Sequence, residues 1–293
     1  MGNGKKTLSP FPTLKRAMRF TLITFCSFLL CACAAPGQVG VNTPQSKAQN
    51  YPPVIEDSPE RQQAAQEAWK NFLAEFRLPD AQPDLEPVLN TPRTLPMELA
   101  GQIVLHTKAG AFGEMEAKEA MRRFIERARG LLVGGAKNSQ ISLKDLSLVS
   151  FSNDGNFYRA VYQQMNYQRP IVNGYGDLRL VVGKNGMLLQ MNSRIIPVFD
   201  LPAPTEINPN SIVDKMIGRE FKYANIAGQT LSYKVAQRSE VSVKDLVVYP
   251  KEEGGKIAVH LVYEVEVGVG TTWTVYVDAI NGQEIAVKQN FVS

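Results

Sequence analysis

In the stretches NFYRAVYQQM (156–165) and DLRLVVG (177–183), apolar and polar residues alternate, and Leu178, Leu180 and Val182 fall on one side of the chain. A period of two marks a strand with one buried and one wetted face. Lys184-Asn185-Gly186 then supplies the Asn-Gly turn of a hairpin. The pattern returns in DLVVYP, KIAVHLVYEVEV and TWTVYVDA, the last turning at Asn281-Gly282 into QEIAV. Much of the second half of the chain is therefore expected to form antiparallel sheet.

Each run of strands follows a helical pattern. Ala117, Ala120, Met121, Phe124, Ala128 and Leu131 form one stripe of a helix over 114–132 that ends near Gly134-Gly135. Asn208-Pro209 starts a shorter helix with Ile212, Val213, Met216 and Ile217 on one face. Ahead of both, Ser58 is an N-cap and Pro59 the first position of a helix carrying Ala65, Trp69, Phe72 and Phe76, with Pro79 beyond its end. Residues 79–99 hold five prolines without a sustained period and read as an extended connector. The wording also repeats: SLKDLSLV at Ser142 answers SVKDLVVY at Ser242, 100 residues on. The expectation is an α+β chain of two tandem modules, 100–200 and 201–293, each a helix packed on an antiparallel sheet.

The first 32 residues differ in kind. Lys5, Lys6, Lys15, Arg16 and Arg19 precede an apolar run over 20–32, the layout of an export signal too short to span a bilayer permanently. Without those 5 basic residues, the 32 in the chain fall to 27 against 28 acidic ones, a net charge of −1. The overall +4 thus belongs to the signal, and nucleic acid is not an expected partner. Leu30-Cys31-Ala32-Cys33 resembles the lipobox of bacterial lipoproteins, with Cys31 departing from the usual small residue. That resemblance implies acylation of Cys33 after removal of 1–32, a flexible tether over 33–57, and a place on the outer membrane facing the periplasm. The alternative is an ordinary secretory signal. All three cysteines, Cys26, Cys31 and Cys33, lie in this segment or at its end, so no thiol is left in the body for a disulfide.

Recognisable catalytic patterns are missing from the sequence. His106 and His260 stand far apart, and His260 shares a strand face with Glu264 without a second His to complete a zinc site. There is no H-E-x-x-H, Gly-x-Ser-x-Gly, phosphate-binding loop or paired-Cys motif. A chain without catalytic activity, metal or cofactor is expected. Trp273, Tyr276, Tyr249 and Tyr263 stand out as aromatic strand residues and read as packing.

A resemblance runs from about residue 90 to the end. Gln163-Gln164, Arg169-Pro170-Ile171-Val172, Gly176-Asp177-Leu178 and Lys184-Asn185-Gly186 occupy the places of a Gln-rich strand, a turn, a Gly-x-Leu element and a hairpin. In that order they resemble the fungalysin/thermolysin propeptide module. LVVYP (246–250), LVYEVEV (261–267) and WTVYVDAINGQEI (273–285) are similar to the PepSY module that follows it in precursors of thermolysin-like metalloproteases. NTPRTLPMELAG and the helix EAKEAMRRFIERARGLL resemble the beginning of such a propeptide. The resemblance implies cystatin-like folds that help a protease fold and cover its cleft. Since only AVKQNFVS follows where a protease would begin, the expectation is a free-standing, membrane-anchored copy that binds a partner protein. A secreted zinc metalloprotease is the sharpest candidate; an envelope scaffold reusing the fold is the alternative. Asn290, Phe291, Val292 and Ser293, terminal and partly apolar, are the candidate contact residues, to add a strand to a cleft through main-chain hydrogen bonds.

Overall fold

The helix spacing and strand alternation read from the sequence become an α+β arrangement in the computed structural model, which describes residues 51–290 apart from 107–111, 136–142, 167, 168, 206 and 271. Cys33, the signal, most of the tether and Phe291, Val292 and Ser293 lie outside the described residues. In chain order the elements are β1 (Val54–Glu56), α1 (Pro59–Phe76), β2 (Asp84–Leu85), β3 (Pro92–Thr94), β4 (Ile103–Val104), α2 (Glu114–Leu132), β5 (Leu146–Asn153), β6 (Phe157–Asn166) and β7 (Arg169–Pro170). There follow β8 (Asp177–Gly183), β9 (Met187–Ser193), α3 (Pro209–Met216), β10 (Glu220–Ala224), β11 (Thr230–Lys234), β12 (Val241–Glu253), β13 (Lys256–Val267), β14 (Trp273–Asp278) and β15 (Glu284–Gln289).

The first large sheet has the order β4-β9-β8-β6-β5, with β7 attached to β6, and every pairing is antiparallel. One face buries Tyr158, Ala160, Tyr162, Leu178, Leu180, Val182, Leu188 and Met191 under the stripe of α2. Helix α1 closes the same core with Trp69 and Phe72, whose rings stack at 5.5 Å, and the Trp69 indole N–H donates to the Ala81 carbonyl at 2.6 Å. Ser58 caps α1 through its hydroxyl, which accepts from the Arg61 N–H. Gly134 and Gly135 end α2 at φ of +59° and +67°. A Cβ on Gly135 would stand 2.3 Å from the Ala64 carbonyl oxygen, so only glycine lets the helix end approach α1 this closely.

The second large sheet joins β1, β13, β14 and β15 in that order, with β12 along the other side of β13. Its core, Val241, Val265, Val267, Trp273, Val275 and Val277, is covered by Ile212 and Met216 of α3 and by the β10–β11 hairpin. Ile217, expected on the apolar face of α3, is just past the helix and exposed.

Two segments differ from the sequence reading. Val54–Glu56, expected to be tether, pairs with Ala258, Ile257 and Lys256 at the end of β13 and buries Ile55. The expected connector over 79–99 includes the paired strands β2 and β3 and buries Leu89, Leu95 and Leu99. The reason is the same in both places: short apolar residues between prolines have no readable period, yet each fills space between larger elements.

A third cluster joins the sheets. Ile55, Val88, Leu89, Ile171, Tyr175, Ile196, Val248, Ile257 and Val259 come from both halves of the chain and pack together.

Candidate functional site

Two adjacent glutamines of β6 build the bridge between the sheets. The buried amide of Gln164 donates to the Ile196 carbonyl at 2.8 Å and accepts from the Ile196 N–H at 3.0 Å, which fixes the chain as it leaves β9. The Gln163 amide donates to the Ile171 carbonyl at 2.8 Å and so holds the excursion after β7. That excursion reaches the far sheet: Ile171 bridges Val248 in parallel, the Val172 N–H donates to the Val248 carbonyl at 2.9 Å, and the Asn173 amide donates to the Pro250 carbonyl at 2.9 Å. Tyr175 donates its hydroxyl to Glu252 at 3.0 Å. The outer side of β12 is thereby met at Val248 and Pro250, both buried, as polar edge groups of a sheet require there.

β15, at the other side of the second sheet, is not occupied in this way. It pairs with β14 from Trp273↔Gln289 to Val277↔Glu284, and among the described residues no strand pairs with its other side. Val287, Lys288 and Gln289 are exposed. The ladder carries on into Asn290, whose backbone N–H donates to the Thr272 carbonyl at 2.9 Å and whose side-chain amide donates to Thr274 Oγ1 at 2.8 Å. Asn290 is thus pinned to β14. A strand that is open on one side and tied along the other can accept an extended segment through main-chain hydrogen bonds.

The aromatic residues are placed apart from this edge. Trp273 lies inside the second core, stacked on Phe221 at 5.0 Å and tilted against Tyr233 at 4.9 Å, with Tyr263 packed nearby. Tyr249 and Tyr276 occupy the opposite, helix-free face, 4.5 Å apart, buried with Val247 and Val262 under Val172. Burial, then the neighbouring Glu264 and Tyr249, push the Tyr276 hydroxyl up to about 12. Glu264 stands directly across from Tyr276, and its carboxyl is also raised, first by burial and then by Glu266.

His260 meets Asp278 and Tyr51. Asp278 is fully buried, and its Oδ2 lies 2.8 Å from His260 Nδ1 and accepts the Tyr51 hydroxyl at 2.8 Å. Its Oδ1 accepts the N–H groups of Ile280 at 2.8 Å and Asn281 at 3.1 Å, which shape the Asn-Gly turn into β15. The Leu261 N–H donates to the Tyr51 oxygen at 2.8 Å. Burial raises the Asp278 carboxyl, but hydrogen bonds from His260, the Ile280 N–H, Tyr51 and the Asn281 N–H outweigh it and leave the acid below its ordinary value. Burial also lifts the Tyr51 hydroxyl far above its usual range, aided by Asp278, so it stays protonated and is a poor nucleophile. With its hydroxyl both donating and accepting, the arrangement works as a clamp that joins residue 51, β13 and the β14–β15 turn. Sequence reasoning missed it because its members are 18 and 227 residues apart. The available signal was Asp278 itself, an acid closing the apolar strand Trp273–Asp278 directly before Asn281-Gly282.

No family model matches the chain. No curated protein matches it. Among solved structures, the C-terminal domain of YpeB from Bacillus megaterium aligns with 80% of this chain and 98% of its own length, at 12% identity and a TM-score of 0.32. Likeness at that level is distant, and it identifies neither an activity nor a partner.

Proposed function

We propose that this chain is a noncatalytic envelope protein, anchored by lipid at Cys33 on the outer membrane and facing the periplasm, that binds a partner protein along the free side of β15. The observation that carries this reading is the difference between the two outer strands of the second sheet: Ile171–Asn173 meets β12 at Val248 and Pro250, while among the described residues no strand pairs with the outer side of β15. An added strand gains main-chain hydrogen bonds with little demand on its side chains. A propeptide-derived protein would meet a protease cleft in this way.

The finer assignment is two tandem modules of the cystatin-like and PepSY-like kind, with a thermolysin-like metalloprotease as the partner, inhibited or assisted in folding. Its support is internal. Leu146 and Leu246, 100 residues apart, lie in outer strands, and β5 and β12 each pair with the following strand through a bulge. The sheets also bury separate cores under separate helices.

The test is retention of envelope proteins on the body without its anchor, residues 34–293, with a zinc-protease assay in its presence. Val287→Lys, at an exposed position of β15, serves as the edge variant, because a lysine on an outer strand disfavours strand addition. Recovery of a metalloprotease that is slowed by the wild type and at least tenfold less by the variant is the expected result. Retention of other proteins with protease activity untouched would leave partner binding and remove the protease. Equal retention by Val287→Lys would move the contact away from β15.

A further inference from the structure

The face of the first sheet turned away from α2 carries a depression of about 240 Å³. Its floor is a checkerboard set by strand register: Arg159 of β6 lies across from Val181 of β8, and Val161 of β6 across from Arg179 of β8. The arginines therefore occupy one diagonal and the valines the other. Gln190 of β9 lies across from Val181, and Thr94 of β3 lines a side of the depression. The wall is fixed, because the Leu95 N–H donates to the Met191 carbonyl at 3.0 Å and the Asn192 amide donates to the Arg93 carbonyl.

The two guanidinium groups already hold carboxylates. Arg159 Nε donates to Asp154 at 2.9 Å, and Arg179 Nη2 donates to Asp177 at 2.9 Å. The arginine side chains are 49% and 63% exposed, with Asp154 at 39% and Asp177 half-buried at 20%. Each recorded bond uses one of the five guanidinium N–H donors. Exposed pairs of this kind contribute about 0–1 kcal/mol, so they exchange readily for an incoming carboxylate. Diagonal neighbours on adjacent strands stand about 7–8 Å apart. Alternate residues of an extended peptide stand about 6.6–6.8 Å apart, on one side of its chain. The volume is below the roughly 300–1,000 Å³ of sites for drug-sized molecules and suits side chains between two cationic groups.

We infer that this face binds an extended acidic segment of a partner protein, with carboxylates at positions i and i+2 on Arg159 and Arg179 and the intervening backbone over Val161 and Val181. This does not depend on the β15 edge, which lies on the other sheet.

The experiment uses the mature chain, labelled with ¹⁵N, and three peptides: Thr-Glu-Thr-Glu-Thr, the same peptide with both Glu replaced by Gln, and Thr-Thr-Glu-Glu-Thr. Amide shifts at 159–161 and 179–181 with the first peptide, at least fivefold weaker binding of the other two, and weakening with salt are the expected result. Arg159→Gln with Arg179→Gln should weaken binding at least tenfold with an unchanged thermal midpoint. Absent shifts, equal binding of the Gln peptide, indifference to peptide spacing, or an unaffected double variant would each overturn the inference. Stronger binding of a polyuronate would overturn it in favour of an anionic glycan.

Discussion

Among the described residues, each of the two large sheets has a face that no helix covers, and they treat it in opposite ways. The first exposes Arg159 and Arg179 on a shallow floor of valines, whereas the second buries Tyr249, Tyr276 and Asp278 under Val172 and Tyr51. On the first face the two guanidinium groups pair with Asp154 and Asp177 near the surface. The second must satisfy itself, and its carboxylate does so with four donors from three places in the chain. A buried polar group is tolerated only at the end of such accounting, so the sealed face ties distant segments together while the open one remains available for contact.

The contrast can be broken most severely at Asp278. Asp278→Ala leaves Tyr51, His260 and two backbone N–H groups without their acceptor, and a loss of about 3–5 kcal/mol is expected in urea unfolding. Arg179→Gln on the open face should stay within about 0.5 kcal/mol. Comparable losses at the two sites would remove the distinction between the faces.

Ile196→Ala comes next, at about 2–5 kcal/mol, since it empties a fully buried position in the cluster between the sheets. If that cluster couples the halves, calorimetry of the variant will resolve two transitions in place of one. A single transition with an unchanged shape would mean that the hydrogen bonds of Gln163 and Gln164 suffice. Tyr51→Phe removes one donor to a carboxylate and should cost about 1.5–3 kcal/mol.

The smallest effect is one of pH. The folded Asp278 acid lies below its ordinary value of 3.8, so the unfolded chain binds the proton first as pH falls. Its contribution is complete above about pH 5 and is lost as pH drops through the folded value. The wild-type midpoint should therefore fall more steeply than that of Asp278→Asn as pH drops below the ordinary value of 3.8. Parallel curves would place the acid sensitivity elsewhere.

Much of this could be read from residues alone. Ser58 and Pro59 mark the start of α1, the stripe from Ala117 to Leu131 gives α2, and alternation around Leu178, Leu180 and Val182 gives β8. These signals are local, and the physics behind them acts over one or two turns or strand repeats. What stayed hidden is long-range. Ile55 is an isolated apolar residue until β13 lies beside it, and nothing near Tyr51 names Asp278 as its partner. The resemblance marked Gln163-Gln164 and Ile171-Val172 as places in a pattern, but not that Gln163 holds the excursion which Ile171 and Val172 lay against β12. β15 was legible as a strand. That no described strand pairs with its outer side follows only from the sheet order.

Because Tyr51 is fastened to Leu261 and Asp278, and Val54–Glu56 lies along β13, any pull applied on the N-terminal side of residue 51 is delivered first to the second sheet and not to α1. Such a pull and the β15 edge would then act on the same sheet, in which β13 and β14 lie between residues 51–56 and β15. Load entering ahead of residue 51 would be met first by the hydrogen bonds of Tyr51 and then by the three-residue ladder of β1.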